Sequence, residues 1–439
     1  MTSLFKKSDF YPRILIISNN PFSTTSNNGK TLASFFKNLP SQNISQLYFN
    51  TELPDEESFG NYYRITDMEI LKSTLNKNIK PGSRVSNSLE EFGNQKKKSE
   101  KSLKVRKNNF TRILRECLWN RKYWNTKNLN IWLEEFQPQI IFFCAGDSEF
   151  AYEITDYVRK KFNSKLVVYV TDDYILPRKN LSVFWYIRRK KIKIAMGKAI
   201  KNSDLFISIS SQMKKSYEKI FNKTSMVALN MSESMLIENF DKKDSDEITL
   251  VYAGGLHFKR YLTLNFLAKA IEKYNKEKGS TKKATLKIFS TQTLGQKEKE
   301  LLEIEGASEF CGPLKTEELK IELNKCDIPV HVESFDKKSI ESTRLSISTK
   351  IPEYLSLGKP VLAIGPKEVA SMKYLKESAY CITSTGNISK DLYEIFNNNK
   401  LRETLAEKSI NIYEKNHNKE LVVKKFISSL MELYEGKPN

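Results

Sequence analysis

The sequence predicts an α/β protein made of two doubly wound, Rossmann-like domains. Three observations lead there. The chain has 439 residues, roughly twice what one ordinary hydrophobic core organises. Short β-branched runs alternate with amphipathic stretches, the pattern of parallel sheets covered on both faces. A polar, charged interval near residue 240 gives way to a fresh strand closed by two glycines, so domains are predicted at 1–239 and 240–439.

In the first domain, Arg13 to Ser18 is a β-branched run ending in a polar loop through Gly29, and Lys30 to Leu39 is an amphipathic helix. The same order recurs at Ile140 to Cys144 with a helix beyond Asp147, at Leu166 to Val170, and at Asp204 to Ile209 with a helix through Phe221. Between Asn76 and Lys127 the rhythm breaks into a Lys/Ser/Asn-rich segment, read as a partly disordered insertion leading into one basic helix over Phe110 to Trp124. Second-domain strands are predicted at Ile248 to Ala253, Ala284 to Phe289, Ile328 to Val332, Pro360 to Ile364 and Ala379 to Ile382. The last helix is expected to pack back on the first domain. Two such domains on one linker should face each other across a cleft at the carboxyl ends of their strands.

Composition narrows the class. Apolar residues at 39%, with 25 Phe and 20 Tyr, describe a globular chain. Five scattered cysteines (Cys117, Cys144, Cys311, Cys326, Cys381) fit reduced cytosolic thiols better than a disulfide framework or zinc site. No apolar leader precedes the first strand and no run approaches the length of a membrane span, so a cytoplasmic, soluble or peripheral protein is expected. The net charge of +20 is uneven: residues 1–240 carry 39 basic and 23 acidic residues. Within them, 96–122 holds eleven basic residues and two acids, and 178–201 holds nine basic residues and no acid. Such fields attract anionic lipid or nucleic acid. In the second stretch Arg188, Arg189, Lys190 and Lys191 follow Phe184-Trp185-Tyr186-Ile187, a mixture suited to an anionic membrane surface; a helix with a solvated basic face is the alternative.

The most informative segment is Ser348-Thr349-Lys350-Ile351-Pro352-Glu353-Tyr354-Leu355-Ser356-Leu357-Gly358-Lys359-Pro360. A hydroxyl cap at Ser348 or Thr349, a proline in the first turn and a closing glycine define a short helix before a buried strand. Its amino end is expected to offer backbone amides and Lys350 to a phosphate, with Glu353 on the same face to accept from ribose hydroxyls. An ordinary helical ion pair between Lys350 and Glu353 is the competing account.

The stretch from Thr349 to Ala363 resembles the signature helix of family 4 retaining glycosyltransferases of bacterial polysaccharide biosynthesis, which have the GT-B fold. The resemblance implies that Glu353 binds the donor ribose. Eight positions earlier, where the family has a second glutamate for the donor sugar, this chain has Leu345, and Glu333 is a candidate substitute. Ala253-Gly254-Gly255-Leu256-His257-Phe258-Lys259-Arg260 resembles the family's diphosphate loop, with Arg260 at its second basic position and Gly255 at the first. Asn28-Gly29-Lys30 resembles the glycine loop that approaches the donor from the other domain. Asp172 and Asp173, ending a strand where many members have histidine, are candidates to orient or deprotonate the acceptor hydroxyl. Asp147 is read mainly as a helix cap.

The implied reaction moves a sugar from a nucleoside diphosphate sugar to a lipid-linked or saccharide acceptor, in cell-surface polysaccharide or glycolipid assembly at the inner face of the membrane. No cofactor is expected, and no metal, because adjacent carboxylates without further ligands make a poor magnesium site. Three alternatives stay open: a nucleotide-sugar epimerase on the same fold, a non-catalytic transferase partner, and a basic nucleic-acid-binding protein. No specific nucleic-acid motif accompanies the charge.

Overall fold

The computed structural model describes residues 11–23, 27–55, 59–85, 108–238, 240, 247–277 and 282–436. The chain divides into two compact units. The first is Met1–Ala228 together with Val423–Asn439, and the second is Leu229–Val422.

Unit 1 begins with β1 (Ile14–Ser18), α1 (Asn27–Phe36), β2 (Ile44–Tyr48), β3 (Tyr62–Arg64), α2 (Asp67–Leu75) and β4 (Ser83–Val85). It continues through α3 (Asn109–Leu118), α4 (Arg121–Trp124), α5 (Lys127–Phe136), β5 (Ile140–Ala145), α6 (Glu149–Phe162) and β6 (Lys165–Val170). Then come α7 (Val183–Lys201), β7 (Leu205–Ser208), α8 (Ser211–Phe221) and β8 (Met226–Val227). The strands form one sheet in the order β4-β3-β2-β1-β5-β6-β7-β8, parallel except at the β3–β4 edge. β1 and β5 are buried along their whole length because helices cover both faces. Helices α5, α6 and α8 each stop at a left-handed residue, Gln137, Asn163 and Asn222, which turns the chain back toward the sheet.

Unit 2 comprises β9 (Glu247–Ala253), α9 (Arg260–Lys276), β10 (Lys283–Phe289), α10 (Gln296–Leu302), β11 (Ser308–Gly312), α11 (Thr316–Lys325) and β12 (Ile328–Val332). After them come α12 (Lys337–Thr343), α13 (Lys350–Leu355), β13 (Val361–Ile364), α14 (Ala370–Leu375), β14 (Ala379–Ile382), α15 (Ile388–Asn397) and α16 (Asn399–Asn416). The sheet order is β11-β10-β9-β12-β13-β14, with every pair parallel. One apolar cluster lies on each face: Leu250, Leu264, Leu286 and Ile395 in the first, Val251, Leu323, Ile351 and Ala363 in the second.

The last helix, α17 (Lys419–Glu435), lies in unit 1 from Val423 onward. Its Phe426 ring sits 4.5 Å from Phe35 and 5.6 Å from Phe142, aromatic contacts worth about 0.5–1.5 kcal/mol each beyond burial.

Two features differ from the sequence reading. The partition falls at Ala228/Leu229 and not at 239/240. The segment after Ala228 is polar but fastened to unit 2: Asn230 donates to Ile347 O, Met235 N to Ser356 Oγ and Ile237 N to Asn324 Oδ1, while the buried His417 ring bonds Asn230 O. The 76–127 segment is also not a single insertion. β4 pairs with β3, and the predicted helix over Phe110 to Trp124 is two helices, α3 and α4, whose following or final residues Trp119 and Trp124 are buried. Residues 86–107, within the segment predicted to be partly disordered, lie outside the described residues.

Candidate functional site

In unit 2 the chain leaves β9 toward β10 and β11 on one side, while β12 leads to β13 and β14 on the other. The β9/β12 boundary is therefore the topological switch point, where open α/β sheets bind ligands. The two strands pair only at Ile328 with Leu250 and Pro329 with Val251. Pro329 lacks an amide hydrogen to continue the ladder, and from Val330 to Val332 the strand pairs with β13. The end of β9 finds a different partner. The Tyr354 hydroxyl accepts from Ala253 N at 2.9 Å and donates to Ala253 O at 2.9 Å. Tyr354 is fully buried, so α13 is tied to the carboxyl end of β9.

The loop after β9 is held under strain. Phe258 and Lys259 both adopt left-handed backbone angles, φ 60° and 59°, at a cost of order 1 kcal/mol each. Opposing that cost, Gln292 Oε1 accepts from both Leu256 N and His257 N, the Tyr252 hydroxyl donates to Gly255 O at 2.7 Å, and Lys259 Nζ meets Asp336 at 2.7 Å. Gly254 and Gly255 open this loop, and a Cβ on Gly255 would lie 2.4 Å from the His257 ring. Burial first, and then the charge of Arg260, lower the His257 pKa.

Arg260, the first residue of α9, donates to Glu333 Oε2 at 3.0 Å, and His331 Nε2 lies 3.3 Å from Glu333 Oε1. Burial alone would raise the Glu333 pKa, but His331 and the Arg260 charge more than reverse it, bringing it to about 2. Glu333 is only 2% exposed. Sequence reasoning offered it as a sugar contact; instead, its carboxylate is inside the unit, anchoring the guanidinium predicted to hold a diphosphate.

α13 forms as expected but differs at its start. Ser348 Oγ accepts from Lys350 N at 3.3 Å, Ile351 N bonds Ser348 O at 3.2 Å, and Pro352 has no amide hydrogen. Thr349 makes no side-chain cap bond. The predicted row of open amides is thus mostly occupied, and the side chains carry the polar function. Lys350 Nζ lies 2.7 Å from Glu353 Oε2, with both side chains partly reachable by solvent. Both residues stay within one turn of the switch-point anchor Tyr354.

In unit 1, Gly29 sits in the first turn of α1, where a Cβ would stand 2.4 Å from Pro21 O; close backbone approach explains the glycine. Asp173 is 4% exposed and accepts from Ile175 N, Leu176 N and the Tyr217 hydroxyl. It fixes the turn after β6, a structural duty that displaces its assignment as acceptor base. Asp172 is less buried and accepts from the Thr171 and Tyr174 hydroxyls at 3.4 Å. Asp147 is not a helix cap: its carboxylate bonds Arg112 at 2.7 Å and also Arg188. Arg188 is therefore withdrawn from the membrane-facing set, its side chain only 12% exposed. Arg189 lies over the Trp185 ring, Lys191 is 3.3 Å from Glu149, and Lys190 is exposed. A cavity of about 700 Å³ lies at the carboxyl ends of β1, β2 and β5, lined by Asn19, Asn50, Asp67, Arg112, Arg115 and Asp147 among others; neither Asp172 nor Asp173 lines it. Among the described residues no three His, Cys, Asp or Glu side chains are grouped to hold a metal.

Tyr354, Gln292 and His331 were missed as site-building residues. Tyr354 stood in the quoted helix and His331 beside Glu333, but only the fold reveals their partners.

No family model matches the sequence, and no curated protein matches it. Solved structures match along nearly the whole chain. Anabaena Alr3699/HepE in complex with UDP superposes with a TM-score of 0.60 at 13% identity, over 96% of this chain and 100% of that one. A glycosyltransferase from Rickettsia africae gives 0.58 at 10% identity, over 96% and 99%. A putative UDP-N-acetylglucosamine 2-epimerase from Listeria monocytogenes gives 0.55 at 10% identity, over 98% of both. The chain has the GT-B fold of the glycosyltransferase structures. At these identities the likeness is one of fold.

Proposed function

We propose that this protein is a glycosyltransferase that moves a sugar from a nucleoside diphosphate sugar to an acceptor hydroxyl with the anomeric configuration retained. One observation carries the reading: the Tyr354 hydroxyl joins α13 to the end of β9 at the switch point. Gly254, Gly255 and Arg260 follow β9, and Lys350 and Glu353 flank Tyr354 on α13, so the join links the two sets of candidate donor residues. Arg260 is pre-aimed by Glu333, and Lys350 can exchange Glu353 for a phosphate oxygen, leaving the carboxylate to accept from ribose hydroxyls. Charge stabilisation of the departing diphosphate by these two cations is the main catalytic contribution, and it supports a metal-independent reaction.

The HepE structures contain UDP and UDP-glucose, which makes uridine the first base to test here. The unit 1 cavity, with Asn19, Asn50, Arg112 and Asp147 in its lining, suits the acceptor, lipid-linked or saccharide, and Asp172 is retained as a candidate catalytic contact outside that lining. The pathway we propose is bacterial cell-surface polysaccharide or glycolipid assembly, at the cytoplasmic face of an anionic membrane. Epimerisation is the second reading, favoured by the Listeria match.

A thermal-shift panel of nucleotides, followed by product analysis with UDP-sugars in EDTA, tests the proposal. Stabilisation by a nucleoside diphosphate and acceptor-dependent sugar transfer are expected. Epimerised donor without acceptor would favour the second reading, and indifference to every nucleotide would defeat both.

A further inference from the structure

Several exposed apolar residues of unit 1 gather at one place that the donor chemistry does not use. Leu181 is 105% exposed and Val183 69%, at the entry to α7; Phe184 and Ile187 follow on its first turns, each 43% exposed. α3 adds Phe110 and Leu114, and the Phe110 and Phe184 rings meet at 5.3 Å, joining the two helices into one surface. The rest of α7 is fixed to the unit by buried Ile192, Met196 and Ile200. An apolar cluster of this kind rimmed by charge marks an interaction site. Of the nine basic residues in 178–201, Arg178, Arg188, Lys191 and Lys198 pair with Asp173, Asp147, Glu149 and Asp156, whereas Lys190 and Lys193 are exposed on the same helix as the apolar residues. Trp185 and Tyr186, packed edge to face at 4.9 Å, stand between apolar and basic residues, the position amphipathic aromatics take at a bilayer interface.

We infer that unit 1 docks on an anionic lipid bilayer through this two-helix tip, with Leu181, Val183, Phe184, Ile187, Phe110 and Leu114 entering the interface and the lysines beside them meeting headgroups. This deepens the membrane part of the proposed function and is independent of its donor chemistry. A fluid bilayer accepts aliphatic side chains at a helix end without a complementary groove, and its anionic headgroups match the exposed Lys190 and Lys193. Nucleic acid would match the cations but has no use for Leu181, Val183 or Ile187.

Vesicle sedimentation tests it with the full chain, comparing phosphatidylglycerol-containing vesicles with pure phosphatidylcholine at low salt. The wild-type protein is expected to bind the former and not the latter. A Lys190→Gln/Lys193→Gln variant should bind about thirty-fold more weakly, from two cations at about 1 kcal/mol each. A Leu181→Ser/Phe184→Ser/Ile187→Ser variant should lose roughly tenfold or more. Melting temperatures should hold because these side chains are exposed; Phe110→Ser on the other helix gives a second reading should the triple variant unfold. Wild-type binding that the serine variants leave unchanged would overturn the tip while sparing a purely electrostatic membrane contact. Indifference of the wild type to anionic vesicles, or tighter binding to duplex DNA than to vesicles, would overturn the proposal outright. Nucleotide binding measured in the same samples shows whether the donor reading stands apart from either result.

Discussion

Replacing Tyr354 by Phe removes one oxygen and leaves the shape of the core unchanged. That oxygen satisfies both Ala253 N and Ala253 O, each at 2.9 Å, in a place where both residues are almost completely buried. Pro329 has already ended the neighbouring ladder, so β12 offers no replacement. Each orphaned group costs about 1–3 kcal/mol, giving roughly 2–6 kcal/mol for the pair. We expect the loss in unit 2, and the tryptophans supply the control, since Trp119, Trp124, Trp132 and Trp185 all belong to unit 1. Hydrogen exchange of peptides covering β9 and α13 should accelerate by about thirty-fold for each 2 kcal/mol lost. Nucleoside diphosphate affinity should fall with it, because α13 loses its tie to the switch point. A Tyr354→Phe protein with unchanged exchange in β9 would refute the inference that this hydroxyl closes the end of the strand.

Glu353→Ala should weaken nucleoside diphosphate binding by roughly 1.5–3 kcal/mol with the melting temperature kept, measured by calorimetric titration; equal affinity would remove Glu353 from the donor site. Asp173→Ala should destabilise unit 1 by roughly 2–4 kcal/mol in a fluorescence-monitored urea titration, whereas Asp172→Ala should reduce transfer and leave the midpoint in place. The opposite pattern would restore Asp173 as the reacting group. The stability of unit 2 should fall in two acid windows. Burial, only partly offset by the Asn230 carbonyl, lowers the His417 pKa from 6.5 to about 4, so its contribution is complete above 6.5 and disappears as pH falls to about 4. Glu333, lowered from 4.5 to about 2, contributes fully above 4.5 and loses its share as pH falls through about 2. Each shift corresponds to about 3 kcal/mol. Unfolding titrations of wild type and His417→Asn should therefore converge between pH 6.5 and 4, and parallel curves would contradict the burial account.

The elements legible in sequence were those whose burial is apolar throughout, such as β5 with Ile140-Ile141-Phe142-Phe143 and β13 with Val361 to Ile364. β2 went unseen because Ser45 and Gln46 interrupt its apolar pattern. The fold buries both, and Gln46 serves Phe22 N, Ser18 Oγ and Asn20 O. β11, with Glu309 in a short half-exposed edge strand, carries too weak an apolar signal. At the site, the Lys350 and Glu353 pair was readable from its three-residue spacing. The partnership of Arg260 with Glu333 spans 73 positions and becomes visible only when β9 and β12 are neighbours. Asp172 and Asp173 look alike in sequence; their different duties depend on which carboxylate the turn directs inward.

The two-rung contact between β9 and β12 also has a mechanical meaning. Elsewhere in this sheet β9 and β10 share seven paired residues and β13 and β14 share four, so the β9–β12 seam is the least stitched line among these pairings. A sheet parts most easily where the fewest hydrogen bonds must be surrendered. Shear along this seam would leave each half's own ladder intact, but it would have to break the Asp327–Thr249 bonds at one end and the Tyr354–Ala253 bonds at the other. A diphosphate gripped by Arg260 on one side and Lys350 on the other would act as a cross-brace. Slower hydrogen exchange on both banks of the seam on adding a nucleoside diphosphate would report that bracing.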